Sequence, residues 1–174
     1  MTTAVGPRVV LIGPMGAGKT TVAHLLADAW GVTARDTDHD IEATAGKPVS
    51  EIFVDDGEAV FRALEADAVA AALDTHDGVL ALGGGAVLAD VTQKNLADHT
   101  VVYLQVGLAD AVKRVGLGSG RPLLLGNVRA RIKQLLDERA PIYAAVATIT
   151  VETDGRSAED VAAEIIRLIE EPPA

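Results

Sequence analysis

Val9-Val10-Leu11-Ile12, followed by Gly13-Pro14-Met15-Gly16-Ala17-Gly18-Lys19-Thr20, decides the fold of this chain. An unbroken apolar run rich in β-branched residues reads as a strand buried on both faces. The residues after it match the G-x-x-x-x-G-K-[ST] phosphate-binding pattern, and Thr21-Val22-Ala23-His24-Leu25-Leu26-Ala27 continues with helical spacing. Strand, glycine loop and helix in that order form one working unit. Gly13, Gly16 and Gly18 leave room for backbone N–H groups to wrap an anion. The helix starting near Gly18 aims its positive end at the same point. Lys19 would reach the terminal phosphates, and the Thr20 hydroxyl would sit on a magnesium ion. The chain is therefore expected to bind a nucleoside triphosphate.

Length and composition narrow the rest. The 174 residues suit a single domain, 1–174, with a sizeable core. Apolar residues make up 49%, yet no stretch approaches the roughly 20 in a row that a membrane span needs. The start of the chain reads as no signal peptide, and without cysteine there are no disulfides or thiol chemistry, so a cytoplasmic protein is expected. The net charge of −10, from 15 basic and 25 acidic residues, argues against a nucleic-acid partner. A protein this acidic must concentrate its few cations where it binds anions. The four histidines show no ligand spacing and read as ordinary surface or helix positions.

Strand-like runs alternate with helical segments along the chain, the mark of a parallel sheet with crossover helices. Strands are expected near 9–12, 34–36, 79–82, 101–105 and 148–151. Helices are expected near 18–29, 38–44, 49–55, 58–73, 92–97, 108–115, 128–138 and 158–170. Gly116-Leu117-Gly118-Ser119-Gly120-Arg121-Pro122 interrupts this rhythm. It reads either as a surface loop or as the hinge of a lid, spanning about 114–126, that brings Arg121 onto phosphate.

Four further groups could carry chemistry. Asp36-Thr37-Asp38 ends the second strand, where a carboxylate lies beside the phosphate loop. Asp36 would assist magnesium, and Asp38 would either orient an attacking hydroxyl and take its proton or cap the next helix. Gly83-Gly84-Gly85 after the third strand permits close approach by a ligand or merely makes a tight turn. Glu58, Arg62 and Glu65 share one helix face, as an ion-pair ladder or, with Phe61 beside them, as a ligand wall. Arg139, placed beyond the helix at 128–138, would complement that helix's dipole or grip a carboxylate.

The series GPMGAGKT, DTD, the DGE and FR of 56–62, GGGAV, RPLL and RAPIY resembles the shikimate kinase family over almost the whole chain. The resemblance implies a three-layer α/β/α fold with a five-stranded parallel sheet, of the nucleoside monophosphate kinase type. It implies ATP and Mg2+ as cofactors and phosphorylation of the 3-hydroxyl of shikimate, a step toward the aromatic amino acids. Gly13, Gly16, Ala17, Gly18, Lys19, Thr20 and Thr21 would hold the nucleotide, with Arg114 and Arg156 at the adenine. Thr20 and Asp36 would serve the metal. Asp38, Lys19 and Arg121 would be the catalytic groups. Asp38, Phe53, Phe61, Arg62, Glu65, Gly83, Gly84, Gly85 and Arg139 would form the shikimate site, in an expected monomer. A gluconate-type kinase should lack GGGAV together with arginines at 62 and 139. A non-catalytic ATP-sensing module should show a broken loop or a missing carboxylate.

Overall fold

The computed structural model describes residues 6–119 and 125–171. Its spine is a five-stranded sheet in the order β2-β3-β1-β4-β5, with every neighbouring pair parallel. The strands are β1 (Val9–Ile12), β2 (Ala34–Asp36), β3 (Val79–Ala81), β4 (Val101–Gln105) and β5 (Ile149–Glu152). The chain leaves β1 toward β2 and β3 on one side and toward β4 and β5 on the other. A crevice forms at the carboxyl ends of strands where the direction of winding reverses. Leu11 and Asp36 both pair with Ala81, so the ends of β1, β2 and β3 emerge level with one another.

Alternate side chains of each strand feed two cores. On one face Val9, Leu11, Val102, Leu104 and Val151 pack with Val22 and Leu26 of α1 (Lys19–Trp30) and Val161 and Ile165 of α8 (Ala158–Glu170). On the other, Val10, Ile12, Leu80, Leu82 and Tyr103 meet Val69 and Leu73 of α4 (Glu58–Thr75), Leu96 of α5 (Asp90–Leu96) and Tyr143 of α7 (Leu125–Val146). A separate cluster of Ile41, Ile52 and Phe61 joins α4 to α2 (Thr37–Ala45) and α3 (Val49–Asp56). It builds a small wing over the crevice. Among the described residues, no helix is long and apolar enough to cross a membrane.

Three expectations are corrected. The helix expected at 128–138 runs from Leu125 to Val146 with Pro141 inside it, so Arg139 is a helical residue rather than one beyond the helix. Proline removes a backbone hydrogen bond and crowds the preceding turn. Here Ile142, Tyr143 and Val146 are packed into the core on the far side of Pro141, and that burial outweighs the local preference. The cap of α2 is Asp36, whose carboxylate accepts from the Asp38 N–H at 2.9 Å, so Asp38 is released from capping. His76 is not at the surface: it is buried at the end of α4, with Nε2 3.2 Å from the Thr33 carbonyl and 3.1 Å from that of Val79.

Candidate active site

The phosphate loop follows from its glycines. Gly13, Gly16 and Gly18 adopt φ of 146°, 84° and 89°, a region that side chains rarely tolerate. At Gly13 a methyl group would also stand 2.6 Å from the Leu104 carbonyl oxygen, so no other residue fits. The loop delivers the chain into α1, which has no side-chain cap and no acidic residue in its first turn. Its amide end is left for an external anion. Lys19 folds back over the loop, donating to the Gly13 and Pro14 carbonyls at 2.7 and 3.0 Å. Burial lowers its ammonium to about 8, against the opposing pull of Asp36 and Asp38.

The carboxylates stand beside this cradle. The Thr20 hydroxyl donates to Asp36 Oδ2 at 3.3 Å, while Asp36 Oδ1 is engaged by the α2 cap. A hydroxyl and a carboxylate in contact form an all-oxygen pair suited to Mg2+, which takes few protein ligands and completes its shell with water and phosphate. Among the described residues, no group of three or more His, Cys, Asp or Glu side chains offers a fuller cage. Asp38 differs from Asp36, because its Oδ1 is buried with no hydrogen-bond partner. Burial lifts its carboxyl above the usual carboxylate range, the Asp36 charge adds to the rise, and Lys19 opposes it. A buried acceptor lacking a donor is what a substrate hydroxyl would satisfy.

The glycine turn after β3 fits against these groups. A methyl at Gly83 would lie 2.9 Å from Asp38 Oδ1 and 3.1 Å from Glu65 Oε2, and one at Gly85 only 2.4 Å from Arg62 Nη1. The ion-pair ladder on α4 exists, with Arg62 2.7 Å from Glu65 and 3.6 Å from Glu58; its Glu58 end is solvated and its Glu65 end is buried. Glu65 is 3% exposed, and burial raises its carboxyl despite the Arg62 guanidinium. Arg62 lies over the Phe61 ring at 5.3 Å, and Phe53 stacks on Phe61 at 4.4 Å.

Three cavities run in sequence along this edge of the sheet. The largest, about 480 Å³, brings together Asp38, Phe53, Phe61, Arg62, Glu65, Gly83, Gly84, Gly85 and Arg139. These are all the residues expected at a substrate site. The next, about 320 Å³, is lined by Gly16, Gly18, Lys19, Thr20, Thr21 and Asp36, and shares Met15, Asp38, Gly83 and Gly84 with the first. The third, about 190 Å³, continues past Gly18 and Thr21 to Arg114, Thr153 and Arg156. Both arginines are engaged there: Arg114 donates to Gly16 and Thr153 carbonyls at 3.0 Å, and Arg156 to Glu164 at 2.6 Å. The Ala17 methyl is buried in the core, so only its backbone can serve a ligand. Arg121 lies outside the described residues, as does the middle of the segment 114–126.

Sequence reasoning missed the α7 wall of the largest cavity, namely Ile132, Leu135, Leu136 and Tyr143. With Arg139 these fall at helical spacing on one face; Ile132, Leu135 and Leu136 lie inside the helix expected at 128–138, and only Arg139 and Tyr143 fell beyond its end. Thr153 was missed too, and no local signal marks it.

Arg62 and Gly85 give a direct test. Gly85→Ala is expected to displace the Arg62 guanidinium, since a long side chain yields more readily than backbone. The result should be a loss of acceptor affinity of about tenfold or more with little change in Tm, because one charged contact is worth roughly 1.5–3 kcal/mol. Calorimetric titration and thermal unfolding check both halves.

The family model described as "Shikimate kinase" matches residues 15–170. A shikimate kinase of Salinispora arenicola is 64% identical over 163 residues, covering 94% of this chain and 98% of that protein. The structure of a shikimate kinase from Acinetobacter baumannii in complex with shikimate superposes with a TM-score of 0.88 at 35% identity, covering 97% of this chain and 96% of that one. A gluconokinase from Sinorhizobium meliloti shares the fold, with a TM-score of 0.59 at 17% identity over 97% of this chain and 94% of that one.

Proposed function

The chain belongs to the shikimate kinase family, and from that premise we propose that it transfers the γ-phosphoryl group of ATP to the 3-hydroxyl of shikimate. One observation carries the reading. Asp38, Arg62 and Arg139 surround a single cavity that opens, at Asp38, onto the cavity of the phosphate loop.

Phosphoryl transfer needs alignment and charge neutralisation more than covalent help. The loop amides and Lys19 hold the triphosphate, and Arg121 would be brought onto it by the segment around 114–126. Thr20 and Asp36 would hold Mg2+, which when bound offsets charge on the phosphates. Arg62 and Arg139 grip the acid's carboxylate as planar forks and so fix which ring hydroxyl faces the nucleotide. Asp38 accepts the proton of that hydroxyl as its oxygen bonds to the γ-phosphorus. The bond from phosphorus to the bridging oxygen breaks, and ADP leaves.

ADP release with shikimate, gluconate and a nucleoside monophosphate in parallel tests the proposal. Shikimate alone should stimulate it. Stimulation by gluconate instead would assign a sister kinase, and stimulation by none an ATP-sensing module.

A further inference from the structure

The motif Arg139-Ala140-Pro141-Ile142-Tyr143 sends a second polar side chain to the substrate cavity, and no step above uses it. Tyr143 is 1% exposed, and its ring lies 5.0 Å from that of Tyr103 in the core beneath the sheet. Ring burial alone asks only for phenylalanine, so the oxygen needs its own reason. The hydroxyl donates to the Gly84 carbonyl at 2.5 Å, joining positions 59 residues apart. Burial also holds the phenol above its usual range, and Arg139 and Tyr143, one helical turn apart on α7, line the same cavity.

The partner is a glycine peptide, whose orientation no side chain fixes. Among the described residues, nothing accepts from the N–H groups of Gly84 and Gly85, although both residues line the cavity. In a trans peptide the C=O and N–H point opposite ways, so holding the Gly84 carbonyl also aims the Gly85 N–H away from the phenol. Without that bond the turn is free to rotate its donors out of alignment.

We propose that Tyr143 is a positioning residue for the hydroxy acid: its hydroxyl, set beside Arg139, locks the Gly84–Gly85 peptide so that the turn's unpaired N–H groups meet the substrate that Arg139 holds by its carboxylate. The inference rests on the shikimate reading and adds a link between its two grips. Arg139 and the glycine turn then act as one unit through a group that itself touches no substrate.

Tyr143→Phe keeps the ring and removes one oxygen. Steady-state kinetics should show KM for shikimate raised about tenfold, with KM for ATP and kcat little changed, because the turn's donors lose their alignment, while the lost bond to the part-buried Gly84 carbonyl lowers Tm by a few degrees at most. The same substitution in an Arg139→Ala background should carry a much smaller penalty, since the two residues serve one grip. An unchanged shikimate KM, a parallel rise in KM for ATP, or a full penalty in the Arg139→Ala background would overturn the proposal. Glycine amide resonances of the free protein supply a reading independent of turnover. Should the wild-type chain prove inactive on shikimate, the functional reading falls, and Gly84 and Gly85 peaks unmoved by Tyr143→Phe would overturn this one as well.

Discussion

Asp38→Asn is expected to reduce kcat for shikimate phosphorylation by about 10²–10⁴-fold, the range for loss of a general base, while ATP still binds. The side chains are nearly identical in size, so the turn at Gly83 and the wing of α2, α3 and α4 stay in place. What is lost is an acceptor for the hydroxyl proton. A variant with near-normal kcat would remove Asp38 from the reaction. The same buried carboxyl has a thermodynamic signature. Its folded-state titration lies above the unfolded value of 3.8, mainly through burial, so the folded chain holds the proton to higher pH. Stability from this site is therefore lost as pH rises through that window, and the charged form is a burden at neutral pH. Asp38→Asn should melt at higher temperature than wild type at pH 7, with the gap closing below the unfolded value. For catalysis the sign is opposite: the base works only when deprotonated, so the acid limb of the kcat/KM profile should lie above the ordinary carboxylate range.

Lys19→Met should lower kcat/KM by about 10²–10³-fold, the loss typical of one preorganised cation at a developing charge. The fold should survive, since the bonds it breaks are the part-buried ones to the Gly13 and Pro14 carbonyls of the loop. The alkaline side of the pH profile separates this role from simple packing. Lys19 titrates at about 8 in the free protein because burial outweighs the nearby carboxylates. A bound triphosphate favours the ammonium, so ATP affinity should weaken as pH climbs past about 8 and hold steady below it. In Lys19→Met that dependence should disappear. In Asp38→Asn it should move to lower pH, because the Asp38 charge is one of the two that keep Lys19 protonated. Isothermal titration between pH 7 and 9.5 follows all three.

What the sequence disclosed, and what it hid, divides along the range of the forces involved. β1, its loop and α1 were legible because an apolar run, three fixed glycines and a helical repeat are all local signals. Asp36 and Asp38 could be placed at a strand's end, yet their roles as cap and acceptor could not be divided, since which carboxylate turns back depends on backbone direction. The place of Arg139 and Tyr143 on the cavity face of α7 stayed hidden because proline's local preference pointed one way and core burial the other, and burial prevailed. His76 was misread because its partners are backbone carbonyls, that of Thr33 just before β2 and that of Val79 at the start of β3.

The shared wall of Asp38, Gly83 and Gly84 sets a rule for anyone designing a bisubstrate inhibitor. A compound that spans both halves of the site has to thread its tether past a carboxylate oxygen with no donor of its own and a turn with no side chain to move aside. A slim tether carrying a hydrogen-bond donor at that point would meet both conditions, whereas an anionic tether copying the phosphate chain would be repelled beside Asp38.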